Sequence, residues 1–145
     1  MPTIVVGVDG SDPAWAALRF AIEEAKLRGA QLRAICAWEL PVAHWGELPP
    51  PEETFDRFRS EAEEVLGRAA AIVEKEAPSL ECDRLALEGA PGRVLLEHSS
   101  DAILLVVGSR GRGAVAGLIL GSVSQEVVQN AACPVVVVPH KGSSE

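Results

Sequence analysis

The hydrophobic residues of this chain fall into short apolar runs separated by stretches of helical periodicity. Four of the runs are rich in β-branched residues, and a weaker one lies among them. Apolar runs without alternating polar positions are typical of strands that are buried on both faces of a sheet. The runs predict strands over residues 4–8, 32–38, 82–87, 103–107 and 135–138.

The stretches between the predicted strands have the spacing of amphipathic helices. Apolar residues recur every three or four positions between Pro13, a favoured residue at a helix start, and Gly29, a common residue at a helix end. A longer apolar stripe over residues 55–73 lies between prolines. Shorter helices fit residues 91–99 and 122–132.

Strands and helices therefore alternate along the chain. Regular alternation of this kind predicts a parallel sheet with helices on both faces and right-handed crossovers. We expect one doubly wound α/β domain over residues 1–140, with a Pro-rich loop over residues 39–53 and a short tail over residues 141–145. A length of 145 residues with 48% hydrophobic content is enough for one such core.

Charge narrows the class of ligand. The net charge of -8 repels a phosphate backbone and an anionic lipid surface, so we expect neither a nucleic-acid nor a membrane partner. The acidic residues are unevenly placed. Residues 1–107 carry 10 basic and 19 acidic residues, whereas residues 108–145 carry 3 and 2. A small anion is therefore expected to bind near the last quarter of the chain.

Features that are missing from the sequence indicate the cellular location and the state of the cysteine and histidine side chains. No apolar run approaches the ~18 to 20 residues of a membrane span, and no basic leader precedes the first run, so we expect a soluble cytoplasmic protein.

Cys36, Cys82 and Cys133 are widely spaced within or beside apolar runs, which favours reduced core thiols. The three histidines have no second ligand at metal-site spacing, and no metal site is expected.

The first predicted strand ends in a carboxylate. In a doubly wound sheet the ligand crevice lies beyond the carboxyl ends of the strands, and Asp9 stands there within the sequence GVDGS. Its carboxylate could accept hydrogen bonds from ribose hydroxyls or an adenine amine. It could also help Ser11 or Asp12 to cap the next helix. Both interpretations stay open at this point.

The segment after the fourth strand is rich in glycine. It begins with GSRGRG at residues 108–113 and reaches GSVS at residues 121–124, where a helix starts. Glycines let a ligand approach the backbone, and the N–H groups of such turns and of a helix start bind anions. The hydroxyls of Ser122 and Ser124 and the guanidinium groups of Arg110 and Arg112 can add hydrogen bonds and positive charge. The sequence therefore predicts a phosphate site.

A structural interpretation of the same segment is available. Ser122 followed by Gln125 is the pattern of an ordinary capping box, and a glycine-rich loop can be a plain connection. Five glycines in 14 residues and two arginines after a buried central strand favour the ligand site. The segment contains no G-x-x-x-x-G-K-[ST], so a Walker lysine is not available, and it does not fit G-x-G-x-x-G.

The spacing Gly108-x2-Gly111-x9-Gly121-Ser122 resembles the G-x2-G-x9-G-[S/T] signature of the universal stress protein family, in its ATP-binding branch. The resemblance includes the turn around Asp9, the last helix and the last strand, so it covers essentially the whole chain. It implies a Rossmann-like sheet of the adenine nucleotide alpha hydrolase type, with five parallel strands in the order 3-2-1-4-5. It also implies a homodimer and a bound adenine nucleotide.

The resemblance also implies which positions hold the nucleotide. Asp9 matches the acidic residue that contacts the nucleoside, Ala37 matches a position lining the adenine, and the glycine-rich segment matches the triphosphate loop. Cys36 departs from the pattern because many relatives carry His there; we interpret it as a core residue rather than a nucleophile. The full set of expected binding residues is Gly7, Val8, Asp9, Ala37, Gly108, Ser109, Arg110, Gly111, Arg112, Gly113, Gly121, Ser122, Val123 and Ser124.

We expect a cytoplasmic stress-response protein whose bound ATP changes its conformation or its choice of partner. AMP and cyclic AMP are alternative ligands, and Mg²⁺ could accompany ATP. No clear base lies near the loop, so fast phosphoryl transfer is not expected. A slow ATP hydrolase or phosphotransferase using Asp9 and a metal ion stays open, as does a dimerisation module with an empty cleft.

The composition of the last predicted strand indicates how copies of the chain assemble. Val135 to Val138 are apolar on both faces, and as the final strand they are expected at the edge of the sheet. An exposed edge of this composition invites pairing with another chain. We therefore expect a homodimer through this strand; the alternative is a monomer in which the Pro-rich loop covers the edge.

Overall fold

A computed structural model describes residues 1–40, 50–111 and 120–139. Strands and helices alternate along these ranges and confirm the predicted order, with strand ends shifted by at most one residue. The predicted helix over 122–132 ends earlier, at Asn130. Most of the predicted Pro-rich loop and the whole of the predicted tail lie outside the described residues. The elements are β1 (Thr3–Gly7), α1 (Asp12–Arg28), β2 (Gln31–Trp38), α2 (Glu52–Glu76), β3 (Cys82–Glu88), α3 (Pro91–His98), β4 (Leu104–Gly108), α4 (Ser122–Asn130) and β5 (Val135–Val138).

The five strands form one parallel sheet in the order β3-β2-β1-β4-β5, as expected. Strand β1 lies at the centre, between β2 on one side and β4 on the other. The chain leaves β1 towards β2 and returns later to the opposite side of β1 at β4. The change of direction falls between β1 and β4, and crevices that bind ligands lie at such switch points.

The central strand explains why the apolar runs show no alternation. Ile4 and Val6 belong to the core cluster that includes residues of α1 and α2, whereas Val5 belongs to the cluster of α3 and α4. All three side chains are fully buried. Both faces of the strand are therefore closed to water, and every position favours an apolar residue.

The two edges of the sheet differ in composition. Strand β3 carries the exposed charged residues Asp83, Arg84 and Glu88, which hinder pairing with another strand. Strand β5 is made of four half-buried valines and pairs only with β4 among the described strands. The predicted edge position of Val135–Val138 is confirmed.

A close backbone contact brings the ends of β4 and α1 together. A Cβ atom at Gly108 would lie 2.8 Å from the carbonyl carbon and oxygen of Pro13, so only glycine fits here without a shift of the backbone. The start of α1 therefore lies directly against the end of β4. This contact places the segments that follow β1 and β4 next to each other.

Candidate functional site

A cavity of about 360 Å³ opens at the carboxyl ends of β2, β1 and β4. Its size is within the range of sites for small organic ligands, roughly 300 to 1,000 Å³. Helices α3 and α4 contribute further walls. The cavity is lined by eleven of the residues that the sequence pointed to: Gly7, Val8, Asp9, Ala37, Gly108, Arg110, Gly111, Gly121, Ser122, Val123 and Ser124.

Of the expected site residues that the structure describes, Ser109 has another position. Ser109 does not line the cavity; its carbonyl oxygen accepts hydrogen bonds from the N–H of Gly121 at 2.7 Å and from the hydroxyl of Ser124 at 3.0 Å. Ser109 therefore fixes the start of α4 against the end of β4. Arg112 and Gly113 lie outside the described residues.

Asp9 lies in the turn between β1 and α1. Its Oδ1 atom accepts hydrogen bonds from the N–H of Ser11 at 3.0 Å and from the Ser11 hydroxyl at 2.5 Å. Ser11 is the N-cap residue of α1, and its hydroxyl accepts from the N–H of Ala14 at 3.4 Å. The two interpretations of Asp9 are therefore compatible, because Ser11 caps the helix while Asp9 holds Ser11 and lines the cavity.

Gly111 lies where the segment after β4 approaches Asp9 in the cavity lining. A Cβ atom at this position would lie 2.5 Å from Oδ2 of Asp9, well inside van der Waals contact. A glycine is therefore required for the segment after β4 to approach the carboxylate. Asp9 and the glycine-rich segment, about one hundred residues apart in the sequence, form one continuous surface.

The start of α4 has no side-chain cap within the described part of the chain. Gly121 occupies the N-cap position, so the alternative interpretation of Ser122 and Gln125 as a capping box does not hold. Gln125 Nε2 instead donates to the carbonyl oxygen of Leu120 at 2.9 Å. The N–H groups of a first helical turn have no partners within the helix, and they carry its partial positive charge. Here they lie beside the cavity and suit an anion.

The two serines of this turn differ in their surroundings. Ser122 is exposed and lines the cavity, so its hydroxyl is accessible to a ligand. Ser124 is 2% exposed, and its hydroxyl is 3.0 Å from both the Ser109 and the Gly121 carbonyl oxygens. The single hydroxyl proton of Ser124 is thus engaged by backbone acceptors. Its side chain anchors α4, whereas the side chain of Ser122 faces the cavity.

The apolar part of the cavity lining was only partly foreseen. Ala37 was expected there, but Ile35, Leu95 and Val107 also line the cavity. Each looks like an ordinary core residue in the sequence, and only the packing of α3 against the strand ends shows that it also contacts the cavity. The wall suits a flat apolar ring such as a nucleobase.

Glu39 is a second carboxylate in the cavity wall. It follows Ala37 by two positions at the end of β2, which was the only signal for it in the sequence. The described cavity residues thus carry the carboxylates of Asp9 and Glu39 and the guanidinium group of Arg110. Sequence reasoning placed positive charge in this region correctly but missed the second acid.

The three cysteines, all within the described part of the chain, form no disulfide bond. Cys36 is 5% exposed and belongs to the α1/α2 core cluster, as expected, although it also lines the cavity. Cys82 and Cys133 are half-buried, and desolvation raises the pKa of both thiols above the ordinary value. A raised pKa keeps a thiol protonated and poorly nucleophilic at neutral pH.

The described residues contain no group of three or more His, Cys, Asp or Glu side chains that could hold a metal ion. None of the described helices is both long enough and apolar enough to cross a bilayer.

Comparison with known proteins agrees with the fold. A universal stress protein from Thermus aquaticus is 41% identical over 140 residues, which cover 94% of this chain and 97% of that protein. The universal stress protein Rv2623 of Mycobacterium tuberculosis is 38% identical over 135 residues, which cover 92% of this chain and 44% of that protein. The chain therefore spans less than half the length of this mycobacterial relative.

Solved structures show the same architecture. A universal stress protein from Archaeoglobus fulgidus in complex with dAMP matches with a TM-score of 0.67 and 30% identity, covering 95% of this chain and 97% of that one. A universal stress protein in complex with cAMP matches with a TM-score of 0.64 and 29% identity, covering 94% and 95% of the two chains.

The fold and the cavity together define a doubly wound α/β protein with a cavity at its switch point. The model of the universal stress protein family matches residues 1–139. This chain belongs to the universal stress protein family.

The anchoring role of Ser124 can be tested by its removal. Ser124→Ala leaves two buried backbone carbonyls with one hydrogen bond fewer, and we expect the free energy of unfolding to fall by about 1 to 2 kcal/mol. Ser122→Ala, two positions earlier and exposed, is the matched control and should change stability by less than about 0.5 kcal/mol. Urea denaturation followed by circular dichroism measures both, and equal losses would contradict the difference between the serines.

Proposed function

We propose that this protein binds an adenine nucleotide in the cavity at the ends of β2, β1 and β4. The observation that carries the proposal is that one cavity is lined by apolar side chains, the carboxylate of Asp9 and the uncapped start of α4. A nucleotide offers a matching partner for each of these, namely an apolar base, a sugar with hydroxyl groups and an anionic phosphate.

The chemistry of the lining suggests how the ligand lies. The base packs against Ile35, Ala37 and Leu95. The phosphates meet the first turn of α4 and the guanidinium group of Arg110, where N–H groups and positive charge favour an anion. Asp9 also lines the cavity and lies beside Gly111. We assign its carboxylate to the ribose hydroxyls, because the ribose joins the base to the phosphates.

The dAMP and cAMP complexes of the two structural relatives support the adenine base. For this chain we propose ATP as the main ligand, as the glycine spacing of the ATP-binding branch indicates, with AMP or cyclic AMP as alternatives. Mg²⁺ would accompany ATP and offset the charge of two nearby carboxylates. The bound nucleotide then sets the conformation or partner choice of a cytoplasmic stress-response protein. Slow hydrolysis of ATP is an alternative outcome, with Asp9 holding the metal ion.

The proposal is tested by native mass spectrometry of freshly purified protein and by titration with ATP, AMP and cyclic AMP. Gly111→Val should abolish binding, because its side chain would displace the Asp9 carboxylate and fill the phosphate path. Gly67→Ala, on the open face of α2 where a Cβ atom meets nothing within 4 Å, should bind like the unmutated protein. Absence of any adenine-nucleotide binding by the unmutated protein would reject the proposal, and steady Mg-dependent phosphate release would favour the hydrolase.

The proposed orientation makes a separate prediction about the two ends of the ligand. Asp9→Ala should weaken adenosine, AMP and ATP alike, whereas Ser122→Ala should weaken only the phosphorylated ligands. Each loss should amount to about 1 to 3 kcal/mol of binding free energy, the value of one hydrogen bond to a charged or neutral group. Isothermal calorimetry with the three ligands measures it. Equal losses on all three ligands in both variants would refute the orientation.

We further propose that two copies of this chain pair through β5. The support is the contrast between the edges, since β3 presents charged residues and β5 presents four half-buried valines. Antiparallel pairing of two β5 strands about a twofold axis would satisfy their edge hydrogen bonds and bury their side chains.

Lysine at Val136 and Val138 tests this pairing. The charged side chains should convert a dimer into monomer or aggregate, because they would be buried without partners at the interface. The matched control places lysine at Leu85 and Leu87, which are half-buried on the opposite edge strand, and should remain dimeric. Sedimentation velocity at low micromolar concentration is the measurement. A species near 15.3 kDa for the unmutated protein would discard the interface.

A further inference from the structure

Alternate residues of β2 face the same side of the sheet, as successive side chains of a strand do. Ile35 and Ala37 pack in the core cluster of α3 and α4, whereas Cys36 and Trp38 pack in the cluster of α1 and α2. Ile35 and Ala37 are the two β2 residues to which the base is assigned. The base therefore lies on the α3/α4 side of the strand end.

Glu39 extends this series at the end of the strand. It follows Ala37 by two positions, directly after the last residue of β2, and like Ala37 it lines the cavity. The other cavity carboxylate belongs to Asp9, which follows β1 and lies beside Gly111. Glu39 is thus the acidic residue that the end of β2 places with the apolar residues assigned to the base.

The donor and acceptor chemistry of the base determines what a carboxylate there can recognise. An ionised carboxylate only accepts hydrogen bonds. The exocyclic amine is the N–H donor of a nucleotide's adenine, whereas guanine carries an acceptor oxygen at the same ring position. Hypoxanthine also carries a carbonyl oxygen there. An acidic side chain beside the base therefore favours the amine and opposes a carbonyl group in its place.

We propose that Glu39 recognises the base, with its carboxylate accepting a hydrogen bond from the exocyclic amine of adenine. This inference rests on the proposed binding of an adenine nucleotide, and it leaves Asp9 for the ribose. Glu39 is exposed, so its carboxylate is hydrated in the free protein and loses part of that hydration when the base binds. We therefore expect the bond to tighten binding about tenfold, at the lower end for a hydrogen bond to a charged group.

The readout is the amine ratio, defined as the Kd of purine riboside 5′-monophosphate divided by the Kd of AMP and measured by isothermal calorimetry. The two ligands differ only in the exocyclic amine, so the effect of a protein charge on the phosphate cancels in the ratio. The unmutated protein should give a ratio of about ten. Glu39→Leu should bring it close to one, because the apolar side chain offers no acceptor. Glu39→Gln keeps a neutral acceptor and should give an intermediate ratio.

IMP supplies a second comparison, because it carries a carbonyl oxygen where AMP carries the amine. The unmutated protein should bind IMP about tenfold more weakly than AMP or worse, since two acceptors would face each other. The amide of Glu39→Gln can turn its NH₂ group towards that oxygen. This variant should therefore bind IMP more tightly than the unmutated protein does.

Glu88→Gln is the matched control. Glu88 is exposed at the end of β3, in register with Trp38, and it does not line the cavity. The substitution removes the same charge from the neighbouring strand end and should leave the amine ratio and the IMP preference unchanged. The melting temperature of each variant checks that the fold is intact.

The possible failures are distinct. If the unmutated protein binds none of these nucleotides, the proposed function fails and the role of Glu39 fails with it. If it binds AMP with an amine ratio near one, or with a high ratio that Glu39→Leu retains, nucleotide binding stands and Glu39 does not recognise the base. An equal fall of the ratio in Glu88→Gln would also overturn the proposal, because the loss of any nearby negative charge would then be sufficient.

Discussion

The burial of the central strand on both faces is the constraint on which the rest of the molecule depends. Ile4, Val5 and Val6 are enclosed by two helices on each side of the sheet, and the backbone of β1 pairs with neighbours along both edges. Polar chemistry is therefore excluded from the body of β1 and can begin only where the strand ends. Asp9 is the first charged residue after that point, which is why the cavity lies at the strand ends.

The close contacts around the carboxyl end of β1 connect two distant parts of the chain. Gly108 lets β4 approach the start of α1, and Gly111 lets the following segment approach Asp9. Ser124 then secures α4 through its bonds to the Ser109 and Gly121 carbonyls. The cavity floor is thus a backbone surface held by small residues. Larger side chains at these points would separate the acidic end of β1 from the start of α4.

The sequence predicted the elements well because uninterrupted apolar runs, Pro13 and Gly29 are local signals. It also located Asp9 and the glycine-rich segment, since the ends of parallel strands meet at one edge of a sheet. It could not tell the exposed Ser122 from the buried Ser124, because that difference depends on which carbonyls the fold brings near each hydroxyl. For the same reason, the absence of a capping box at Ser122 and the contributions of Leu95 and Glu39 to the cavity became clear only from the tertiary packing.

The unequal edges of the sheet also limit how far the molecule can associate. A sheet with two adhesive edges can add copies at both ends and grow without limit, as in fibres. Here the charged residues of β3 hinder the pairing of another copy with that edge strand. Among the described strands, β5 is therefore the one edge of each copy that is suited to pairing, and a contact through its valines would use that edge. Growth through strand pairing then terminates after a single step. In such a dimer the charged side chains of β3 would let the opposite edge stay apolar without open-ended growth.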